Sequence, residues 1–362
     1  MTYLDANATE ILRPEAREAV LAALEAGGNP ASVHAIGRAA RRLLEAARET
    51  IAARFGASPA DLVFTSGGTE ADALALHALG AGRRLIVGAT EHDAIRSAAP
   101  GAAVLPVDGQ GSADLDALRR ELAAGGPALV CLMLANNETG TLHPVAEAAR
   151  LCREAGALLH VDAVQAAGRV PVDFAALGAD SLALSSHKLG GPPGAGALLV
   201  APALSAELEP LIAGGGQERG RRGGTPPLPA IAGFAAAVQV VGDAAGLAAL
   251  RDAAEQGAVA VGAVPLGAGA PRLPNTSCLA LPGVRAETQV IVLDLAGVQV
   301  SAGAACSSGK VARSRVLDAM GAGPLAGEAI RVSLPWCARP EDVDEFLTAY
   351  RAMAERLLQR AA

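Results

Sequence analysis

The chain has 362 residues, 51% of them apolar, and a formal net charge of -7. That length suits one sizeable domain plus a smaller one, and no apolar run reaches the roughly 20 residues a membrane span needs. The acidic balance, with no basic run interleaved with aromatics, argues against a nucleic-acid surface, and five cysteines without a CxxC pair argue against a disulfide framework or a metal site.

At the N-terminus, Met1-Thr2-Tyr3-Leu4-Asp5 puts an acid where a secretion signal carries basic residues and then an apolar stretch, so a soluble, cytoplasmic protein is expected. From about residue 32 to 240, short apolar runs alternate with longer helical stretches, which predicts βαβ units and a mainly parallel sheet. A helix is predicted over Ser32 to Phe55, a strand over Asp61 to Thr65, a turn over Ser66 to Glu70 and a helix over Ala71 to Leu79. Further strands are predicted at Leu85 to Val87, Ala128 to Leu134, Leu158 to Val161 and Ser181 to Leu184, with a helix over Pro144 to Ala155. The Gly-, Arg- and Pro-rich stretch Gly214 to Pro229 reads as an exposed loop with a long helix after it. Beyond about residue 245, helices mix with strands such as Val290 to Leu295, suggesting a smaller α+β domain that the N-terminal segment joins.

Polar residues recur just after the predicted strands, where open α/β sheets bind ligands. Ser66-Gly67-Gly68-Thr69 reads either as a phosphate cradle at a helix N-terminus or as a tight turn with Thr69 as N-cap. Lys188, in Ser185-Ser186-His187-Lys188, follows an apolar strand. Burial there favours the neutral amine that imine formation requires, and the only other lysine is Lys310. Asp162 ends another strand, where it suits either a proton-holding partner for a pyridine nitrogen or a helix N-cap. His92 has an imidazole suited to stacking on a ring, and Asn137 reads by default as a turn residue. Cys306 lies in the small-residue run Ser301 to Lys310, an unusual setting for a structural cysteine, and is a candidate nucleophile with Lys310 near it in sequence. Cys131 and Cys152 read as small core residues.

Together these segments resemble the cysteine desulfurases of the NifS/IscS type, in the class V aminotransferase group of fold-type I pyridoxal phosphate enzymes. The resemblance is carried in order by Tyr3 to Thr9, Asn29 to His34, Phe64 to Glu70, Glu91-His92, Asn136 to Gly140, His160 to Asp162, Ser185 to Lys188, Gly214 to Thr225, Ser301 to Cys306 and Ile330 to Leu334. It implies an α/β fold: a large domain, residues 15–244, with a mainly parallel seven-stranded sheet flanked by helices, and a smaller α+β domain, residues 1–14 and 245–362, that carries the Cys306 loop.

For the site, the resemblance implies that Lys188 binds pyridoxal 5'-phosphate, Asp162 pairs with its ring nitrogen, Gln165 meets the ring hydroxyl and His92 stacks on the ring. Gly68, Thr69, Ser185 and His187 would hold the phosphate, with Thr225 reaching the phosphate of the neighbouring subunit in a homodimer. Asn137 and Arg331 would bind the carboxylate of L-cysteine, whose sulfur passes to Cys306 and then to an acceptor such as an iron–sulfur scaffold or sulfur-transfer protein, leaving alanine. Two features depart from the pattern: Glu10 stands where a second threonine is usual, and the chain stops at Ala362 without the longer tail that some members use in docking a scaffold. The rival expectations are a selenocysteine lyase, another class V aminotransferase, which Cys306 argues against, and a non-catalytic assembly subunit, which Lys188 argues against.

Overall fold

A computed structural model describes residues 1–206, 208–240, 242–303 and 313–358. The chain opens with the short strand β1 (Thr2–Tyr3) and helices α1 (Pro14–Ala26) and α2 (Ala35–Arg54). It then lays down β2 (Leu62–Thr65), α3 (Gly68–Gly80), β3 (Arg84–Gly88), α4 (Asp93–Ala98), β4 (Ala103–Leu105), β5 (Ala128–Cys131), β6 (Leu158–Asp162), β7 (Ser181–Ser185) and β8 (Gly196–Val200). These strands form a seven-stranded sheet in the order β2-β8-β7-β6-β5-β3-β4. Only β8 runs against the others, pairing antiparallel with both β2 and β7. The C-terminal ends of β2, β3, β5, β6 and β7 therefore share one edge.

The interior strands read as near-continuous apolar runs because helices cover both faces of a parallel sheet. Every residue of β5, β7 and β8 is buried. One core collects Ile51, Phe55, Leu62, Leu159, Ile231 and Phe234 from one side. Another gathers Val63, Leu74, Val87 and Leu129 from the other.

The rest of the chain builds a four-stranded antiparallel sheet in the order β12-β13-β10-β9, from β9 (Val264–Leu266), β10 (Thr276–Ala280), β12 (Ser301–Ala302) and β13 (Ala329–Ser333). β1 pairs in parallel with β11 (Val298–Gln299), so the first residues of the chain pack beside its last third. Leu4, Leu279, Ile330, Phe346 and Tyr350 form a separate core there.

Three expectations are corrected. Val290 to Leu295 is not a strand but the second half of helix Ala286–Leu295. Its β-branched run masked the helical spacing of the buried residues Ala286, Gln289 and Leu293. Gly214 to Pro229 is not simply an exposed loop: Gln217–Gly220 forms a 3₁₀ turn, Glu218 and Arg221 are buried, and the next helix already begins at Leu228. The helical stretch that follows is two elements, Leu228–Gln239 and Ala244–Val259. Among the described residues no single helix is long and apolar enough to cross a membrane.

Candidate active site

Each strand end on the shared edge delivers polar residues to one cavity of about 150 Å³. Its lining is Gly68, Thr69, Asp72, His92, Met133, Asn137, Asp162, Val164, Gln165, Ser185, His187 and Lys188. β2 leads into α3, whose first turn holds Gly68 and Thr69. Gly67 is the N-cap and makes no side-chain cap, so the reading of Thr69 as N-cap does not hold. Gly68 is required for packing: a Cβ there would lie 2.6 Å from Val164 Cγ2 and 3.5 Å from Ser185 Cβ. The helix N-terminus, with its unpaired N–H groups, therefore sits close against the ends of β6 and β7.

Lys188 lies on the 3₁₀ turn Ser186–Lys188 that ends β7. Its Nζ donates to the carbonyls of Asn7 at 2.6 Å and Ala8 at 2.9 Å. The Asn7 carbonyl also accepts Gln165 Nε2 at 3.0 Å, while Gln165 Oε1 accepts Arg169 Nη1 at 2.5 Å. The side chain of Asn7 reaches Asn137 O at 3.1 Å and Thr276 Oγ1 at 2.9 Å. The N-terminal segment thus ties the lysine, the glutamine and the Asn137 turn together. His187 Nδ1 lies 3.0 Å from Thr9 Oγ1, and burial pushes its imidazole down to about 4. His92 caps α4, its Nδ1 accepting Ala94 N–H at 3.1 Å, which leaves Nε2 as the protonated nitrogen.

Asp162 ends β6. One carboxylate oxygen accepts Val164 N–H at 2.8 Å, an Asx turn that fixes the side chain. Its pKa is raised first by burial and then by Asp72. Asp72 lies one turn beyond Thr69 on α3 and is 1% exposed. Its Oδ1 meets His160 Nε2 at 3.1 Å, and His160 Nδ1 meets Ser181 Oγ at 2.8 Å. Burial moves Asp72 from 3.8 up to about 7 and His160 from 6.5 down to about 4, so this contact is a hydrogen bond to a neutral imidazole and not a full ion pair.

A pH signature follows from Asp72. A carboxyl whose folded pKa lies above its unfolded value supports folding fully below the unfolded value of about 4, and that support is lost as pH rises through about 7. Asp72→Asn removes the titration while keeping a hydrogen-bonding amide. The melting temperature of the variant, minus that of the parent, is expected to climb between about pH 4 and 7 in scanning calorimetry. A difference independent of pH would show that Asp72 does not titrate in that window.

Two of the expected residues lie outside the cavity. Arg331 is buried on β13, with Nη2 2.6 Å from Asp5 Oδ1 and Nη1 donating to Asn137 O at 3.1 Å, so it touches the site through the backbone of Asn137. Thr225 is exposed on the segment before helix Leu228–Gln239. Cys306 and Lys310 lie outside the described residues. Cys131, Cys152 and Cys278 are buried and Cys337 is exposed. Glu10 faces inward 3.8 Å from Arg169. Among the described residues no group of His, Cys, Asp or Glu is set to hold a metal ion.

Seven strands with one reversed, and a lysine and an acid meeting at their C-terminal edge, define an α/β enzyme of the fold-type I class. A family model described as aminotransferase class-V matches residues 2–346. A cysteine desulfurase of Cereibacter sphaeroides is 43% identical over 376 residues, covering 98% of this chain and 96% of its own. The X-ray structure of a NifS-like protein from Rickettsia africae superposes with a TM-score of 0.91 at 33% identity, covering 98% of this chain and 99% of the other. SspA, solved in complex with cysteine, gives a TM-score of 0.80 at 28% identity over 92% of this chain and 99% of its own. The chain belongs to the class-V aminotransferase family, in its cysteine desulfurase branch.

Proposed function

We propose that the protein uses pyridoxal 5'-phosphate to convert L-cysteine to alanine, passing the sulfur to Cys306 as a persulfide. The observation that carries this reading is the convergence of Lys188, Asp162, His92 and Gln165 on one cavity at the sheet edge. Bound there, the cofactor supplies an aldehyde for an amine to condense with and a protonated ring that draws electron density from the substrate α-carbon.

The residues fit that group. The close approach at Gly68 leaves the N-terminus of α3 as a phosphate cradle, with Thr69, Ser185 and His187 as further donors. A cationic ring nitrogen placed beside Asp162 would offset the burial that raises this carboxyl, and Asp162 would in turn hold the proton on that nitrogen. Gln165, fixed by Arg169, would present its amide to the ring hydroxyl, and His92, on the same cavity wall, would flank the ring. Lys188 carries the cofactor and, once displaced by the substrate amine, removes the α-proton. Asn137, on the cavity wall, takes the substrate carboxylate, and Arg331 would join it by exchanging its Asp5 partner for that carboxylate.

The Cys306 thiolate then attacks the substrate sulfur. The S–S bond forms as the C–S bond breaks, and its electron pair leaves with the three-carbon fragment, which takes up one proton at the former sulfur-bearing carbon and regains one at the α-carbon to become alanine. A homodimer in which Thr225 reaches the partner's phosphate is supported by the exposed apolar residues Leu21, Leu24, Ile36 and Leu43 on α1 and α2. We assign residues 15–244 to a cofactor-binding domain and 1–14 with 245–362 to a smaller one, on the strength of their separate cores. A cytoplasmic iron–sulfur scaffold or sulfur-transfer protein is the proposed acceptor.

The test is the purified protein, loaded with pyridoxal 5'-phosphate and given L-cysteine. Alanine, sulfide and persulfide at Cys306 are expected, with L-selenocysteine as the comparison substrate. Cys306→Ala is expected to keep the cofactor's visible band and lose sulfur release by about 100-fold or more. Sulfur release at the parent rate in that variant sinks the role given to the thiol.

A further inference from the structure

Glu138 follows Asn137 in the chain, and the reading above gives it no task. The residue is 6% exposed. Burial raises its pKa, while the Ser314 hydrogen bond, Arg331 and Arg315 pull it down and Asp93 pushes it up again. A buried carboxylate is costly unless its partners hold it, so the identity of those partners is informative.

Ser314 Oγ donates to Glu138 Oε2 at 2.5 Å and also caps helix Arg315–Ala319, accepting Leu317 N–H at 3.1 Å. Gly303 packs on the same oxygen: a Cβ built on it would collide with Glu138 Oε2 and lie 3.2 Å from Ser314 Cβ. Gly303 and Ser314 are thus side by side, and the sequence between them contains Cys306. Other contacts fix the same two points to the site. Ser301 on β12 lies opposite Arg331, which bonds the carbonyl of the cavity residue Asn137. Arg315 pairs with Asp93, the residue after His92.

We propose that Glu138 is a positioning residue whose buried carboxylate clamps both roots of the Cys306 segment beside the substrate cavity. It thereby sets the reach of the thiol to the substrate sulfur. The inference rests on the reading of Cys306 as sulfur acceptor. Cys306 is three residues beyond Gly303, a span of at most roughly 10 Å, so the position of this root bounds how far the thiol can reach. Misplacement of a reacting group by about 1 Å costs on the order of 100-fold in rate.

The experiment is a single turnover of the loaded enzyme with L-cysteine. It reads persulfide at Cys306 by rapid quench, alkylation and mass spectrometry, and substrate engagement by the change in the cofactor's absorbance. Glu138→Ala is expected to slow persulfide formation by about tenfold or more while the absorbance change keeps its rate and its cysteine dependence. Glu138→Gln, whose amide oxygen still accepts the Ser314 hydroxyl, restores most of the rate. Gly303→Ala, which drives a methyl group into the carboxylate, is slowed like Glu138→Ala. The double variant is expected to be no slower than either single variant, because the carboxylate that the methyl group would displace is already gone.

Persulfide formation at the parent rate in Glu138→Ala overturns the proposal, as does an absorbance change that slows in step with it. If Glu138→Ala does not fold, Gly303→Ala decides on the same readouts. Cys306→Ala in the same assay separates the two claims. Persulfide-dependent turnover that survives it removes the acceptor reading itself, whereas a dead Cys306→Ala beside an unaffected Glu138→Ala removes only the clamp.

Discussion

Lys188→Ala is expected to abolish the visible absorbance of the loaded enzyme and to lower alanine release from L-cysteine by about 10⁴-fold or more. Two losses combine in this variant: the covalent anchor for the cofactor and the base that removes the α-proton. Among the described residues that line the cavity, no other side chain is a primary amine. The carbonyls of Asn7 and Ala8 that hold Nζ are acceptors only, and the only other lysine in the chain is Lys310. Lys188→Arg is expected to be as inactive as the alanine variant, since a guanidinium keeps its charge and cannot condense with an aldehyde. Absorbance of added cofactor, alanine release and melting temperature, measured on one preparation, separate chemical loss from unfolding. Turnover within about tenfold of the parent would overturn the assignment of Lys188.

Much of the sheet was legible because parallel strands buried on both faces read as apolar runs, and β3, β5, β6 and β7 were anticipated within a few residues, whereas the interior antiparallel strand β8 was missed. Residues at strand ends were legible for the same reason: Asp162, Lys188 and Asn137 punctuate those runs, and the cavity brings them together. Asp72 was missed because it sits inside the helix Gly68–Gly80. The available signal was an acid three residues beyond Thr69, amid the buried Ala71, Leu74 and Ala75. Asn7 was missed for a different reason. Its contacts with Asn137 and Thr276 join residues 130 and 269 positions away, and no local period records such pairings. The misread of Val290 to Leu295 shows propensity overriding pattern: Ile291 and Leu295 are exposed and Leu293 is buried, an arrangement that needs the 3.6-residue turn.

Glu218→Ala is expected to carry the largest stability cost of any single charge deletion in the segment before Thr225. Glu218 meets Arg48 through two hydrogen bonds, 2.8 Å from Nη1 to Oε2 and 2.7 Å from Nη2 to Oε1, and also accepts Phe64 N–H at 2.9 Å. Side-chain exposures of 6% for Arg48 and 3% for Glu218 leave little water to replace either partner. The attraction is strong enough to hold Glu218 and Arg219 at φ of 48° and 60°, a left-handed conformation that non-glycine residues rarely adopt. Removing the carboxylate strands a buried guanidinium whose remaining partners are Glu45 and the Leu62 carbonyl, a loss of about 3–5 kcal/mol. Chemical denaturation should report that loss as a lower midpoint at unchanged slope. Arg48→Met/Glu218→Leu, which removes both charges and keeps apolar volume, should recover part of it. If Thr225 serves the partner's site, cofactor retention in the dimer should fall in Glu218→Ala and stay low in the double variant, because apolar packing restores stability without restoring the bidentate bond that shapes this turn. A Glu218→Ala protein as stable as the parent would mean that Arg48 finds water or a new partner, and that the strained turn is held by its glycines alone.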